Sequence, residues 1–113
     1  MSNNLLTPVI NQLTAYNSRN INDFIKNFSS DCLVEDAQGN IIMQGHTQMY
    51  ESYQKMFAAS PNLNCQIISR IVVGNYVLDE ENVTGRNGNS DMSHVVAIYK
   101  IENNLITHVR FIK

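Results

Sequence analysis

The sequence predicts an α+β domain with helices first and an antiparallel sheet after them. In the N-terminal half, apolar residues recur at intervals of three and four, which is the period of a helix with one buried face. The C-terminal half instead consists of runs rich in β-branched residues, separated by turn-forming Gly and Asn. Helices followed by consecutive hairpin strands are typical of folds in which helices cover one face of a curved sheet.

Three helices are predicted. Thr7 is expected to cap the first helix, and Pro8 suits its first turn. Asn22 is expected to cap a short second helix, and a third helix is expected from His46 to about Ser60, with Pro61 beyond its end. The apolar faces of these helices are expected to carry Val9, Leu13, Tyr16, Phe24, Ile25, Phe28, Met49, Tyr53, Met56 and Phe57.

Six strands are predicted, over residues 32–36, 41–43, 65–73, 76–84, 93–101 and 105–112. Gly39, Gly74 and the segment 102–104 supply the hairpin turns. The fourth strand is unusual because acidic residues 79–81 occupy its middle. With no repeat and no linker, residues 1–113 are expected to form a single domain.

Composition excludes several function classes. A net charge of -2 with scattered Lys and Arg lacks the basic surface that nucleic-acid binding needs. The sequence has neither a signal peptide nor a long apolar run, so a cytoplasmic protein without a membrane partner is expected. Cys32 and Cys65 lack a metal-binding spacing and are expected to be reduced core residues. The three histidines are scattered as well, so we expect neither a metal nor a cofactor.

Asp36 is the leading candidate for chemistry. It follows Glu35 at the end of a strand-like apolar run, and neighbouring strand residues point to opposite faces, so only one of the two acids faces inward. A carboxylate that faces an apolar interior is costly unless it is paired or protonated, and such groups concentrate at functional sites. The alternative is that Asp36 caps the backbone amides of Gln38 or Gly39 in the turn that follows.

The chain resembles the nuclear transport factor two-like superfamily, and within it SnoaL-like and ketosteroid isomerase-like proteins. The resemblance covers essentially the whole chain and rests on residues 16–24, 28–32 and 34–36, on Gly45 and Pro61, and on segments 98–101 and 106–109. It implies a cone in which a strongly bent antiparallel sheet wraps around three helices and leaves a pocket at its open end. Because such folds host several reactions and also binding modules, the fold alone does not assign one.

The resemblance also implies site residues. Asp36 matches the catalytic aspartate of ketosteroid isomerases, which makes Glu35 the outward acid. Two oxyanion donors of that family are missing, since the matching positions hold Gln12, with Tyr16 one turn later, and Ala97.

Other polar residues are expected to complete the pocket. Positional matching directs His108 and Arg110 of the last strand inward, and likewise Asp79, Glu81 and Val83 of the acidic strand, although a β-bulge would reverse such an assignment. Asp36, Glu81, His108 and Arg110 would then be an acid–base set with a cationic oxyanion stabiliser. An exposed strand face, or a salt bridge to Glu81, is the alternative for His108 and Arg110. The expected walls of the pocket are Tyr16, Phe28, Met49, Tyr53 and Phe57, for which simple core packing is the alternative.

Two function hypotheses follow. One is an enzyme that moves a proton on a small apolar carbonyl substrate, in isomerase or cyclase fashion. The other is a non-catalytic module of the same fold that binds an apolar ligand or dimerises. Alternate apolar residues on the outer sheet face, such as Ile68, Val72, Val96 and Ile98, predict a homodimer.

Overall fold

Six strands form one curled, unclosed sheet that wraps against three helices. The structure is a computed structural model that describes residues 5–113. The elements, in chain order, are α1 (Thr7–Asn17), α2 (Ile21–Ile25), β1 (Phe28–Glu35), β2 (Ile41–Gln44), α3 (Gly45–Ala58), β3 (Asn64–Val73), β4 (Tyr76–Thr84), a 3-10 turn (Arg86–Gly88), β5 (Ser93–Glu102) and β6 (Leu105–Ile112). The predicted α+β class and the order of its elements are confirmed.

The sheet has the strand order β2-β1-β6-β5-β4-β3. Its pairings are antiparallel except for that between β1 and β6, which is parallel. This pairing extends β1 toward its N-terminus, because Phe28 lies opposite Ile106. The strand therefore begins four residues before the predicted Cys32, and residues 29–31 belong to it.

Two helix starts differ from the prediction. Thr7 lies inside α1 and caps nothing, since Leu6 is the N-cap residue and no side chain bonds to the helix start. In α2 the cap is Asn20 and not Asn22: the Asn20 side chain accepts a hydrogen bond from the backbone N–H of Asp23 (3.1 Å). No helix within residues 5–113 has both the length and the apolar character needed to cross a bilayer.

An aromatic cluster centred on Phe24 joins the helices to the sheet. The Phe24 ring is 1% exposed, and its centroid lies 4.6 Å from that of Tyr53 and 4.9 Å from that of Phe28. Phe57 meets the same ring edge-on at 5.5 Å, and Tyr16 lies at 6.1 Å. Such pairs add to the burial of apolar area, so this cluster fixes how α1, α2 and α3 sit over the inner sheet face.

Two β-bulges set which side chains face inward. In β6, Lys100 pairs with His108 but Ile101 pairs with Ile106, so Thr107 is an extra residue. In β3, Ile67 pairs with Glu81 and Ser69 with Glu80, so Ile68 is extra there. Each bulge reverses the alternation of inward and outward side chains beyond it.

The outer sheet face carries an apolar row across three strands. Ile71 lies opposite Leu78, and Leu78 lies opposite Ile98. Ile71 is 56% exposed. The β3 bulge makes Ile71, and not the predicted Val72, the outward residue, because Val72 lies opposite the fully buried Val77.

Candidate functional site

A cavity of about 160 Å³ lies between the inner sheet face and the helices. Its wall is mostly apolar, with a few polar side chains from strands β3, β4 and β5, helices α1 and α3, the 3-10 turn and the residue after β6. The residues that line it are Gln12, Leu13, Tyr16, Phe24, Phe28, Ile42, Met43, Ser52, Tyr53, Met56, Cys65, Glu81, Val83, Arg86, Ser93, Val95, Tyr99, Val109, Phe111 and Lys113. A small apolar pocket with a few convergent polar groups is the usual form of a ligand site.

Glu81 is the buried carboxyl group in the wall of this cavity. It lies on the inner face of β4, between the buried residues Asp79 and Val83, and is 5% exposed. Burial raises the pKa of Glu81 the most, and the negative charge of Asp79 raises it further. Together they bring the pKa of Glu81 to about 7. Near neutral pH this carboxyl group is therefore close to half protonated and can both take up and give back a proton.

Asp79 is buried by a different arrangement. Its carboxylate, on a residue with 0% exposure, receives two hydrogen bonds from Arg70, from Nε to Oδ1 (2.6 Å) and from Nη2 to Oδ2 (2.9 Å). This two-point contact gives the buried Asp79 carboxylate a cationic partner. Asp79 and Glu81 point the same way from β4, so the fixed negative charge of one acts directly on the other.

Gln12 of α1 holds the hydroxyl group of Tyr99, a neighbour of Glu81. Gln12 donates from Nε2 to the Val9 carbonyl oxygen (3.1 Å) and to the Tyr99 hydroxyl (3.2 Å). Tyr99 accepts that bond, so its own proton stays available, and its interaction with Glu81 lowers the pKa of that carboxyl group. The thiol of Cys65 also interacts with Glu81, and both contacts partly offset the rise in its pKa.

Tyr16 and Tyr53 supply hydroxyl groups to the same cavity. Burial raises the pKa of both, so each keeps its proton at neutral pH. Neither hydroxyl forms a hydrogen bond with another side chain among residues 5–113. Both are therefore open to donate to a ligand oxygen.

The expectation that Asp36 faces the cavity is not met. Asp36 follows the last residue of β1 and caps the turn, where its Oδ1 accepts from the N–H of Gln38 (3.0 Å) and of Asn40 (2.9 Å), and its Oδ2 accepts from Asn40 Nδ2 (3.0 Å). These bonds, above all that from the Asn40 side chain, hold the pKa of Asp36 below its usual value. The chain turns at the point where strand alternation would have directed the side chain inward.

The expectation that His108 and Arg110 face the cavity is also not met. Both donate to Glu35 on the outer face, with His108 Nε2 at 2.7 Å and Arg110 Nη2 at 2.9 Å from Glu35 Oε1. The Thr107 bulge explains this, because beyond it Val109 becomes the inward residue. Glu35 does face outward, as predicted, and its partner Arg110 is the main cause that lowers its pKa.

Three of the five predicted wall residues line the cavity: Tyr16, Phe28 and Tyr53. Gln12, one of the two positions matched to the missing donors, lines it as well. The other position, Ala97, has 0% exposure and lies opposite Asp79 under the helices. Met49 also has 0% exposure, and Phe57 packs edge-on against Phe24 and Tyr16. For Met49 and Phe57 the structure agrees with the alternative of simple core packing.

Glu81 faces inward as expected, but Tyr99 and Cys65 were not predicted to lie beside it. Tyr99 has the same strand parity as Val95 and Ala97, so alternation along β5 was a signal that could have found it. Cys65 stood in the sequence only as a core cysteine, and it is indeed free and buried, as is Cys32. Its position opposite Val83, next to Glu81, follows from the pairing of β3 with β4.

The family comes from comparison with known proteins. A family model described as the SnoaL-like domain matches residues 9–109. This chain belongs to the SnoaL-like family. A search among curated proteins finds no significant match to it.

Solved structures agree on the fold of this SnoaL-like protein. A cystatin-fold protein from Novosphingobium aromaticivorans superposes with a TM-score of 0.89 at 24% identity, over 99% of this chain and 100% of the other. A protein with a ketosteroid isomerase-like fold from Catenulispora acidiphila, in complex with trimethylamine, superposes with a TM-score of 0.78 at 20% identity, over 93% of this chain and 83% of the other. An epoxide hydrolase from M. tuberculosis superposes with a TM-score of 0.79 at 15% identity, over 96% of this chain and 80% of the other. At these identities the likeness shows the fold alone.

The raised pKa of Glu81 predicts a pH-dependent stability. The folded protein binds this proton more tightly than the unfolded chain does, so the contribution to folding is full below about pH 4.5 and is lost as the pH rises to about 7. Over that interval we expect the free energy of unfolding to fall by about 3 kcal/mol relative to Glu81→Gln. Urea unfolding of both proteins across this pH range measures the difference.

The matched control for that measurement is Glu51→Gln on the exposed side of α3. The free energy of unfolding of this variant should depend on pH in the same way as that of the wild type. Parallel profiles of the wild type and Glu81→Gln would contradict the raised pKa of Glu81.

Proposed function

We propose that this SnoaL-like protein is an enzyme that moves a proton next to the carbonyl group of a small apolar substrate, with Glu81 as the acid–base group. The observation that carries the proposal is the position of Glu81, a buried carboxyl group with a pKa of about 7 in the wall of an apolar cavity. A general base works best when its pKa lies near the working pH. Burial and the neighbouring charge of Asp79 bring Glu81 to that value.

The proposed step is a proton abstraction followed by its return. The Glu81 carboxylate takes a proton from the carbon beside the carbonyl, and the electron pair of the broken C–H bond forms a C=C bond while negative charge moves to the carbonyl oxygen. The hydroxyl groups of Tyr16 and Tyr53 are available to donate hydrogen bonds to that oxygen. Glu81 then returns the proton to the same carbon, which gives exchange, or to another carbon, which gives isomerisation.

We assign the base to Glu81 and not to Asp36 because a base must reach the proton that it removes. The Asp36 carboxylate is held by three hydrogen bonds in the turn after β1, and its lowered pKa makes it a weak base. Tyr16 and Tyr53 take the place of the oxyanion donors that are missing at Gln12 and Ala97. Gln12 serves instead to orient Tyr99.

The test is deuterium exchange in D₂O, followed by proton NMR, on small ketones with and without a carboxylate: cyclohexanone, acetophenone, levulinate and phenylpyruvate. We expect the protein to accelerate deuterium exchange at the carbon beside the carbonyl of at least one of these ketones. Glu81→Gln should lower that exchange rate by at least about a hundredfold, since general-base catalysis contributes that much or more.

Asp36→Asn is the matched control, because it removes one carboxylate charge at a distance from the cavity. It should keep the exchange rate of the wild type. If no ketone exchanges faster than in buffer, or if Glu81→Gln exchanges as fast as the wild type, the enzyme proposal is wrong. Ligand binding without exchange would favour the alternative of a non-catalytic binding module.

We also propose that the outer sheet face pairs two copies of the chain. Its apolar row of Ile71, Leu78 and Ile98 is flanked by acids that are already paired on the same face, with Glu80 bound to His94 and Glu35 bound to His108 and Arg110. Because these acids already have hydrogen-bonded partners within the face, they do not need to be desolvated without a partner when an identical face packs against them.

Light scattering coupled to size-exclusion chromatography tests this pairing. A dimeric mass is expected for the wild type and a monomeric mass for Ile71→Asp, which places a charge at the most exposed residue of the row. Met92→Asp, at an equally exposed apolar residue outside this row, should remain a dimer. A monomeric wild type would contradict the proposal.

A further inference from the structure

We propose that Arg86 and Lys113 form an anion-binding pair at the opening of the cavity, so that the substrate is a small apolar molecule ending in a carboxylate. Both side chains line the cavity that contains Glu81, and both residues are exposed, so they lie where the cavity meets solvent. The carbonyl end of this substrate, near Glu81, rests on the proposed function. The anion-binding pair concerns the opposite, carboxylate end. Its two residues play no part in the proton transfer.

The two cations lack acidic partners. Among residues 5–113, neither Arg86 nor Lys113 forms a salt bridge. Lys113 lies over the ring of Phe111, with Nζ 5.8 Å from the ring centroid. Burial and the nearby charge of Arg86 lower the pKa of Lys113. Two cations close enough to repel each other at an apolar opening are stabilised when an anion lies between them.

The backbone holds Arg86 in place. The preceding residue, Gly85, has φ of +78° and packs so tightly on the backbone of Asn62 that a Cβ atom would clash with it. The following residue, Asn87, donates its N–H to Ser60 Oγ (2.7 Å), and this hydroxyl donates in turn to the Met56 carbonyl oxygen (2.5 Å). Ser60 is fully buried. The turn that carries Arg86 is thus tied to the end of α3, beside the cavity.

The charges divide the cavity into two ends. Arg86 lowers the pKa of Tyr16 and of Tyr53, while Glu81 raises both, so the two tyrosines feel both groups. Arg86 and Lys113 follow the C-terminal ends of β4 and β6, and these two strands run in the same direction because both pair antiparallel with β5. The cationic pair therefore lies at this end of the sheet, and Glu81 lies farther back along β4.

The size of the cavity limits the ligand. A cavity of about 160 Å³ is close to that of an engineered protein cavity that holds benzene, at roughly 150 Å³. The apolar body of the ligand is then no larger than about one ring or a short branched chain. Combined with a carbonyl near Glu81 and an anion near Arg86, this describes a small oxo acid.

The test uses an unreactive pair of probes of equal shape, phenylacetate and phenylacetamide. Their binding is measured by isothermal titration calorimetry at low ionic strength and at a pH below the pKa of Glu81. We expect phenylacetate to bind about tenfold more tightly than the amide, which corresponds to about 1.4 kcal/mol. Arg86→Gln and Lys113→Gln should each weaken the binding of phenylacetate by roughly three- to tenfold and leave the binding of phenylacetamide unchanged.

Lys55→Gln is the matched control. It removes the same charge from an exposed position on α3 that does not line the cavity. Both probes should bind this variant as they bind the wild type. Circular dichroism of each variant confirms that the fold is intact.

Three results would overturn the proposal: equal binding of the acid and the amide, equal effects of Lys55→Gln and Arg86→Gln, or binding of neither probe. This measurement needs no turnover. If phenylacetate binds through Arg86 but no ketone exchanges deuterium, the proton-transfer function is wrong and the anion site stands. If ketones exchange through Glu81 but the two probes bind alike, the anion site is wrong and the enzyme stands.

Discussion

Two carboxyl groups, Asp79 and Glu81, are buried on the inner face of β4, and the fold offsets the cost of burying each one in a different way. Arg70 reaches the Asp79 carboxylate from β3 with two hydrogen bonds. Glu81 forms no salt bridge with a cation within residues 5–113, and it binds a proton at a pH where an ordinary glutamate has lost it. A buried carboxyl group without a cation is costly when it is charged, and the pKa of Glu81 is the measure of that cost.

The surrounding structure maintains this difference. The Phe24 cluster fixes the helices over the sheet and keeps water from the inner face of β4. Gln12 orients the Tyr99 hydroxyl toward Glu81, which gives the carboxyl group a donor but not a neutralising charge. The SnoaL-like fold itself does not specify this chemistry, because proteins of similar fold include an epoxide hydrolase and a protein in complex with trimethylamine. The reaction has to be inferred from the residues in the cavity of this chain.

The sequence allowed the element order and much of the core to be predicted, because helical spacing and β-branched runs are local signals. Positional matching to the family also placed Glu81 inward, and the structure agrees because β4 pairs with β5 without a bulge. It failed for His108 and Arg110 because the extra residue, Thr107, is defined by the pairing of β6 with β5. Asp36 was misplaced because strand alternation and turn capping predict opposite positions for it, and only the hydrogen bonds from residues 38–40 decide between them. Arg86 and Lys113 are distant in sequence, so no local pattern brings them together.

The most direct test of this account is the titration of Glu81 itself. Carbon-13 labelling of the glutamate side chains gives one carboxyl resonance for each, and the resonance of Glu81 is assigned as the one that is absent in Glu81→Gln. The account predicts that this resonance titrates with a midpoint near pH 7, well above the other glutamates. A midpoint near the ordinary value of about 4.3 would show that Glu81 is charged in the cavity at neutral pH, and the proposed acid–base role would lose its basis.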